Sequence, residues 1–186
     1  MSPTDRLRAV IDLRSRPEVI DRPDALHESG IRHLHVPVFT EQRWPQEQME
    51  LYPSMAERAG RAVLAGLRQL RAEDKGAVLV HCASGKDRIG VVVAIVQTLF
   101  GASGAEVMAD VVRSNAELGL SVAQSTTTRG HNTLPVTTGH LRRALLWIRS
   151  HHGSLSAYLR AQGALEGDLS MLPAEVSAAR PPVASP

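Results

Sequence analysis

The chain has 186 residues, of which 43% are hydrophobic and 22% charged, a composition typical of one soluble globular domain. The net charge of +2 is small, the basic residues are scattered and only 3% of the residues are aromatic, which argues against a nucleic-acid partner. No apolar run is long enough to cross a membrane and the first residues lack a signal-peptide pattern, so we expect a cytoplasmic protein without stable membrane insertion.

The first half of the chain alternates predicted strands and helices. Short stretches rich in β-branched residues predict strands at 7–13 and 31–38, with a short helix at 24–30 between them. Apolar residues at three- and four-residue steps predict a helix over 53–74. The continuous apolar run at 76–80 predicts a strand buried on both faces.

The second half is predicted to be helical. The helices are expected over 88–101, 105–115, 141–153 and 154–163. Ser103 and Glu106 have the spacing of a capping box at the start of the second of these helices. The long polar connection at 116–137 is typical of a disordered segment or of a loop that covers a site.

Together these elements predict an α/β fold in a single domain. We expect a small, mainly parallel central sheet flanked by helices, with extra helices at the C-terminal end. The domain is expected to span 1–177, and residues 178–186 to form a flexible tail. Composition leaves the oligomeric state open.

The segment His81 to Gly90, HCASGKDRIG, contains the only cysteine of the chain. It lies between a predicted strand and a predicted helix, where the N–H groups of a tight turn and of the helix N-terminus point outward and favour an anion. A cysteine at such a place has a lowered pKa and becomes a nucleophilic thiolate. Arg88 can return across the turn and offer a planar fork to two phosphate oxygens.

The candidate site residues therefore surround a bound phosphate. Cys82 is the predicted nucleophile and Arg88 the predicted phosphate ligand. The rest of the turn is predicted to bind substrate, namely Ala83, Ser84, Gly85, Lys86, Ile89 and Gly90. The alternative is that Cys82 is a small buried hydrophobic residue. The histidines show no spacing typical of metal ligands, so we expect neither a metal nor another cofactor.

The loop resembles the sequence His-Cys-x-x-Gly-Lys-Asp-Arg-Thr-Gly of the bacterial tyrosine and dual-specificity phosphatases, a branch of the cysteine-dependent phosphatases. VIDLRSRPEV at 10–19, ADVVRSN at 109–115 and GSLSAYLRAQG at 153–163 are similar to other segments of that family. The resemblance covers roughly residues 8–165. It implies a single cysteine-phosphatase-like domain that acts without a cofactor.

Carried onto this chain, the resemblance implies that Cys82 attacks phosphorus and that Arg88 binds the phosphoryl group. It also implies that Lys86 and Asp87 influence substrate choice and protonation near the leaving group, Lys86 suiting a substrate with a second negative group. Asp87 has a structural alternative, since its carboxylate could simply hold Arg14 or another arginine in place.

Two departures from the family pattern stand out. The chain starts almost on the first strand, so that either the fold is trimmed or the given start is not the natural one. Ile89 stands where the family has threonine, whose hydroxyl donates to the cysteine sulfur and helps it leave phosphorus. Losing such a hydrogen bond is expected to slow that step by roughly ten- to a hundredfold.

A general acid must also protonate the leaving oxygen. Related phosphatases use an aspartate some distance before the cysteine, but the corresponding stretch here, 39–50, contains none. Glu41, directly after a predicted strand, is the first candidate, followed by Asp87 and Glu47. The alternative for Glu41 is an ordinary solvated loop residue.

These features leave three hypotheses about function. The first is a metal-independent phosphomonoesterase for phosphotyrosine proteins, with activity extending to phosphoserine, phosphothreonine or phosphoinositides. The second is a phosphatase of a small metabolite, such as a nucleotide or sugar phosphate. The third is a low-turnover module that binds phosphate, as Ile89 and the missing loop aspartate suggest. The expected partner is thus a phosphorylated protein or a small phosphorylated metabolite.

Overall fold

The computed structural model of the chain describes residues 7–25, 30–41, 45, 47–73, 76–120 and 134–173. Strands alternate with helices in its first half, and helices alone follow. In chain order the elements are β1 (Leu7–Asp12), α1 (Arg16–Asp21), β2 (Arg32–His35), α2 (Gln48–Arg58), α3 (Gly60–Arg71), β3 (Ala77–His81), α4 (Asp87–Leu99), α5 (Gly104–Glu117), α6 (Thr138–His152), α7 (Leu155–Ala161) and α8 (Glu166–Leu169).

The described strands form one parallel sheet with β1 in the centre, which confirms the predicted α/β fold. β1 pairs with β2 so that Asp12 lies beside His35, and with β3 so that Asp12 lies beside His81. Helix α3 packs against β1 and β3. Because all three strands run the same way, the residues that follow them gather at one edge of the sheet.

The prediction that the third strand is buried on both faces is wrong. Ala77 and Leu79 are exposed, Leu79 to 47%, whereas Val78 and Val80 pack against the core. β3 lies at the edge of the described sheet, and the helices cover only the face of this strand that carries Val78 and Val80. An apolar run cannot report which of its faces a helix covers.

The single helix predicted at 53–74 is in fact two helices. α2 begins at Gln48, five residues before the predicted start, and ends at a turn on Ala59; α3 then starts at Gly60. A Cβ at Gly60 would lie 3.0 Å from the Tyr158 hydroxyl, so the glycine allows α7 to approach closely. The Tyr158 hydroxyl donates to the carbonyl of Ala56 at 2.6 Å, which fixes this contact.

Helix α4 confirms the buried helix predicted at 88–101. Its inward residues Val91, Val92, Ile95 and Leu99 belong to the hydrophobic core. The helix stops before Gly101, whose φ of 86° is a left-handed conformation that glycine adopts without strain. Burial of this apolar helix against α3 and α6 anchors the turn that precedes it.

The capping box predicted at Ser103 and Glu106 is confirmed at the start of α5, where the Ser103 backbone N–H donates to Glu106 at 2.8 Å. The next two predicted helices correspond to α6, which starts three residues earlier than expected, and to α7. Of the connection at 116–137, the first residues belong to α5 and its turn, and residues 121–133 lie outside the described part of the chain.

Two other expectations fall wholly or partly outside the described residues. These are the flexible tail at 178–186 and most of the helix at 24–30, whose described ends, Asp24, Ala25 and Gly30, are not helical. The structure instead has α1, which the sequence analysis did not predict. None of the helices in the described ranges is both long and apolar enough to span a bilayer.

Candidate active site

The loop that carries the cysteine lies at the carboxyl edge of the sheet. β3 ends at His81, Cys82 follows as a buried residue, and α4 begins at Asp87, which places Arg88 in its first turn. Gly85 has a φ of 65°, a left-handed conformation that allows the backbone to curl between strand and helix. The strand, turn and helix therefore occur as the sequence predicted.

Arg88 is held by a residue that the sequence analysis did not select. Its Nη1 donates to Glu18 Oε2 at 2.6 Å and its Nη2 to Glu18 Oε1 at 2.8 Å, a bidentate pair between two mostly buried side chains. Burial acts to lower the pKa of Arg88, but the hydrogen bonds to Glu18 and the charge of Cys82 outweigh it, so the pKa is raised. Arg88 therefore stays charged beside the cysteine.

Asp87 is held by Tyr52 of α2, whose hydroxyl donates to Asp87 Oδ1 at 2.6 Å. Burial first, and then the charge of Asp87, raise the pKa of Tyr52 far above its usual value, so the hydroxyl keeps its proton and acts as a donor. The Tyr52 ring is fully buried and stacks on His140 of α6 at 4.9 Å. Asp87 does not hold Arg14, which pairs with Asp12 and Asp24, but its charge acts on another arginine and contributes to the raised pKa of Arg88.

Lys86 is buried beneath the loop. Its side chain is 0% exposed, its ammonium donates to the carbonyl of Leu134, and it lies 3.5 Å from Asp87 Oδ2. Asn115 of α5 binds the same segment, because its amide exchanges two hydrogen bonds with the backbone of Val136 at 2.7 and 2.8 Å. Lys86 thus joins the loop to the segment that precedes α6.

A second polar cluster lies beside the loop at the ends of the strands. The fully buried Asp12 accepts hydrogen bonds from the backbone and side chain of Arg14, and Arg14 Nη2 lies 2.8 Å from Asp24 Oδ1. Burial acts to raise the pKa of Asp12, but its hydrogen bonds from Arg14 prevail and lower it. Arg14 thus serves the strand ends, not Asp87.

The oxygen and nitrogen atoms of Asp12, Asp24 and His33 lie close enough together to hold a metal ion. The guanidinium of Arg14 already bridges the two carboxylates and supplies positive charge there. A cation would have to compete with that guanidinium. The expectation of no metal therefore stays a prediction.

Ile89 lies one residue beyond Arg88 and is partly buried. Its side chain packs against the core and lines a small cavity between α4 and α5 together with Val93, Val111 and Ser114. Ser114 contributes a hydroxyl to that lining, and this hydroxyl donates to the carbonyl of Val111 at 2.6 Å. Isoleucine can donate no hydrogen bond to the cysteine sulfur.

The remaining predicted site residues differ in their burial. In the turn, Ala83 and Gly85 are exposed and Ser84 is half-buried, whereas Gly90 is buried in α4, where a Cβ would lie 3.4 Å from Val111. Glu41 is exposed and directly precedes residues 42–44, which the structure does not describe. Its role as general acid stays a prediction.

Glu18 and Tyr52 are the supporting residues of the site that the sequence analysis did not select. A signal for Glu18 was present, because Ser15 and Glu18 have the same spacing as the capping box at Ser103 and Glu106. That spacing would have located α1. No local pattern indicates that Glu18 also reaches Arg88, 70 positions away.

A cysteine in the turn after a strand and an arginine in the first turn of the next helix are the arrangement that the resemblance of the loop led us to expect. A family model for the tyrosine phosphatase family matches residues 4–176. The chain belongs to the tyrosine phosphatase family, as the resemblance of its loop implied. Its function is accordingly that of a phosphatase hydrolase of the protein-tyrosine phosphatase type.

The other comparisons add little. No curated protein matches the chain. Among solved structures, TpbA of P. aeruginosa is similar with a TM-score of 0.46 and 18% identity, over 86% of this chain and 75% of that chain.

Proposed function

We propose that the protein is a cysteine-dependent phosphomonoesterase that acts through a phosphocysteine intermediate. The observation that carries this proposal is the position of Cys82 in the turn after β3, with Arg88 in the first turn of α4. The charge of Cys82 acts on Arg88, and Arg88 is fixed by Glu18. A phosphoryl group held by the guanidinium would therefore lie next to the sulfur.

The proposed reaction has two steps. In the first, the thiolate of Cys82 attacks phosphorus, an S–P bond forms, and the P–O bond to the leaving group breaks as that oxygen takes a proton from Asp87 or Glu41. In the second, water attacks phosphorus and loses a proton, the S–P bond breaks, and inorganic phosphate and the thiolate are released. Arg88 and the backbone N–H groups of the turn stabilise the charge on the phosphoryl oxygens in both steps.

Positive charge for the transferred group comes from Arg88 and from the N-terminus of α4, so the reaction as proposed needs no metal ion. We expect the full chain to hydrolyse p-nitrophenyl phosphate at the same rate before and after incubation with EDTA. Activity that disappears with EDTA and returns with Mg²⁺ or Zn²⁺ would contradict the proposal. If the chain shows no activity either before or after incubation with EDTA, only the hypothesis of a phosphate-binding module remains.

We propose phosphotyrosine proteins as the leading substrate class, with a small phosphorylated metabolite as the alternative. The two are separated by comparing kcat/KM across phosphotyrosine, phosphoserine and phosphothreonine peptides, phosphoinositides, nucleotides and sugar phosphates. We expect the phosphotyrosine peptides to rank first. A sugar phosphate or nucleotide that exceeds every peptide by about tenfold or more would favour the metabolite phosphatase.

Ile89 is the feature that favours low turnover. We expect Ile89→Thr to raise the steady-state rate by roughly ten- to a hundredfold, because a hydroxyl that donates to the sulfur makes it a better leaving group in the second step. Stopped-flow measurement should show a burst of nitrophenol in the native chain that shrinks relative to the steady rate in the variant.

Ile89→Val is the matched control, since valine has the shape of threonine without the hydroxyl. We expect it to keep the native ratio of burst to steady rate. If the valine variant matches the threonine variant, the gain comes from the smaller side chain and the argument about the hydroxyl is wrong.

A further inference from the structure

We propose that Tyr52 is a positioning residue that occupies one oxygen of the Asp87 carboxyl group and thereby keeps the transferable proton on the other oxygen, Oδ2. This inference rests on the proposed function, with Asp87 as the proton donor of its first step. It gives a residue of α2 a part in the chemistry of the loop between β3 and α4.

The Tyr52 hydroxyl has one hydrogen-bond partner among the described residues, Asp87 Oδ1 at 2.6 Å. Tyr52 is fully buried, and burial first, then the charge of Asp87, raises its pKa far above the usual value, so the hydroxyl keeps its proton. A hydroxyl has a single hydrogen to donate, and Oδ1 accepts it. A proton on Oδ1 would leave the tyrosine hydrogen without an acceptor, so the proton that Asp87 transfers is carried on Oδ2.

The second oxygen of Asp87 has a different neighbour. The Lys86 ammonium lies 3.5 Å from Oδ2, and the Asp87 side chain is only 7% exposed. The same ammonium donates to the carbonyl of Leu134, which fixes the position of the cation. The carboxyl group therefore lies between a hydroxyl at Oδ1 and a cation near Oδ2. Without the hydroxyl, the attraction of the cation alone would orient the carboxylate, and either oxygen can then take the proton.

Tyr52 is itself held by α6, against which α2 packs. Its ring stacks on that of His140, with the centroids 4.9 Å apart and the planes inclined by 24°. His140 is buried, its Nδ1 accepts from the backbone N–H of Thr137 at 3.1 Å, and burial lowers its pKa, so the imidazole is neutral at neutral pH. The phenol ring is thus fixed between α6 and the loop by packing, without a second charge behind it.

The proposal predicts that Tyr52→Phe slows the substrates that need a general acid. At a pH where the acid carries its proton in both chains, we expect kcat/KM for phenyl phosphate to fall by about ten- to a hundredfold, because the carboxyl group loses its orientation and its proton is no longer confined to one oxygen. For p-nitrophenyl phosphate, whose leaving group departs without a proton, the loss should be about threefold or less. Steady-state rates on the purified full chain measure both.

The pH profile for phenyl phosphate is a second readout. A hydroxyl that donates to a carboxylate stabilises its ionised form, so the alkaline limb of kcat/KM should move to higher pH in Tyr52→Phe, by about one unit. Lys86, Arg88 and His140 also interact electrostatically with Asp87 and remain in the variant, so the limb should move without vanishing.

Tyr158→Phe is the matched control. Tyr158 is also fully buried, and its hydroxyl likewise donates at 2.6 Å to α2, at the carbonyl of Ala56. We expect this variant to keep the native ratio of the two rates within about twofold and the native position of the limb. Circular dichroism melts compare the stability of the two phenylalanine variants. The coupling test adds Tyr52→Phe to Asp87→Asn, where it should change kcat/KM for phenyl phosphate by less than about twofold.

Three results would overturn the proposal. Equal losses on the two substrates in Tyr52→Phe would show that the tyrosine only supports the fold. A native ratio of rates with a native limb would show that its hydroxyl does not position the acid. A further large loss in the Asp87→Asn background would show that Tyr52 does not act through Asp87. Failure of the proposed function looks different: the native chain would hydrolyse neither substrate, or Cys82→Ser would keep the native rate on both.

Discussion

Replacing Cys82 with serine is expected to reduce the hydrolysis of p-nitrophenyl phosphate to background, a fall of about 10⁴-fold or more. Serine has nearly the same shape, but its hydroxyl is not ionised at neutral pH and is therefore a much weaker nucleophile than a thiolate. Cys82 is buried in the turn that leads from β3 to α4, and Arg88 lies in the first turn of that helix. Steady-state rates on the purified full chain measure the effect.

The fold and the phosphate site should survive this change. We expect Cys82→Ser to bind inorganic phosphate with a Kd within about threefold of the native value, because the guanidinium and the backbone N–H groups that bind it are unaltered. A variant that retains more than about one per cent of the native rate would show that the thiol is not the nucleophile. Loss of phosphate binding together with activity would show that serine had disturbed the loop.

The loop could be predicted from sequence because its signals are local. A strand that ends at the cysteine, glycine at a position that needs a positive φ, and an apolar helix afterwards all lie within a few residues of one another. Short-range patterns of this kind follow from backbone geometry and periodicity. The capping box at Ser103 and Glu106 was predictable for the same reason.

The supporting residues could not be predicted because their partners are far away in the chain. Glu18 and Arg88 are 70 positions apart, and Tyr52 and Asp87 are 35 apart. Each pair forms only when separate elements pack together, so neither leaves a periodic trace in the sequence. Tyr52 shows the same limit: from its sequence neighbours alone, a tyrosine near the start of a helix is expected to pack, and only the buried carboxylate of Asp87 gives its hydroxyl a partner.

The break between α2 and α3 has a similar origin. The apolar steps at 53–74 continue through Ala59 and Gly60, so the periodicity predicts one helix. The two helices separate where Gly60 meets the side chains of Tyr158 and Gln162, in a contact between residues about a hundred positions apart. Tertiary packing here overrides the local pattern.

The second large effect is expected at Asp87, which we propose as the general acid in preference to Glu41. Asp87 is in the first turn of α4 beside Arg88, and its charge, like that of Cys82, acts on Tyr52. We expect Asp87→Asn to lower kcat/KM for phenyl phosphate by about 10²–10⁴-fold, the usual contribution of a general acid. For p-nitrophenyl phosphate the loss should be much smaller, because nitrophenolate leaves without being protonated.

The pH dependence of kcat/KM is a second test of Asp87 as the general acid. A general acid must carry its proton in the first step, so the native kcat/KM for phenyl phosphate should fall as the pH rises and the acid ionises, and this limb should vanish in Asp87→Asn. In the native chain the Tyr52 hydroxyl donates to Asp87 at 2.6 Å. The amide oxygen of asparagine can accept the same hydrogen bond, so we expect little structural change in the variant.

Glu41→Gln separates the two candidates. If Asp87 is the acid, the glutamine variant should keep both the native rate on phenyl phosphate, within about twofold, and the alkaline limb. The reverse pattern, a flattened limb in Glu41→Gln and a native profile in Asp87→Asn, would assign the proton to Glu41 and leave Asp87 as the acceptor that fixes Tyr52. Because each variant is compared on a poor and a good leaving group, a general loss of folding would lower both rates equally and would not imitate loss of the acid.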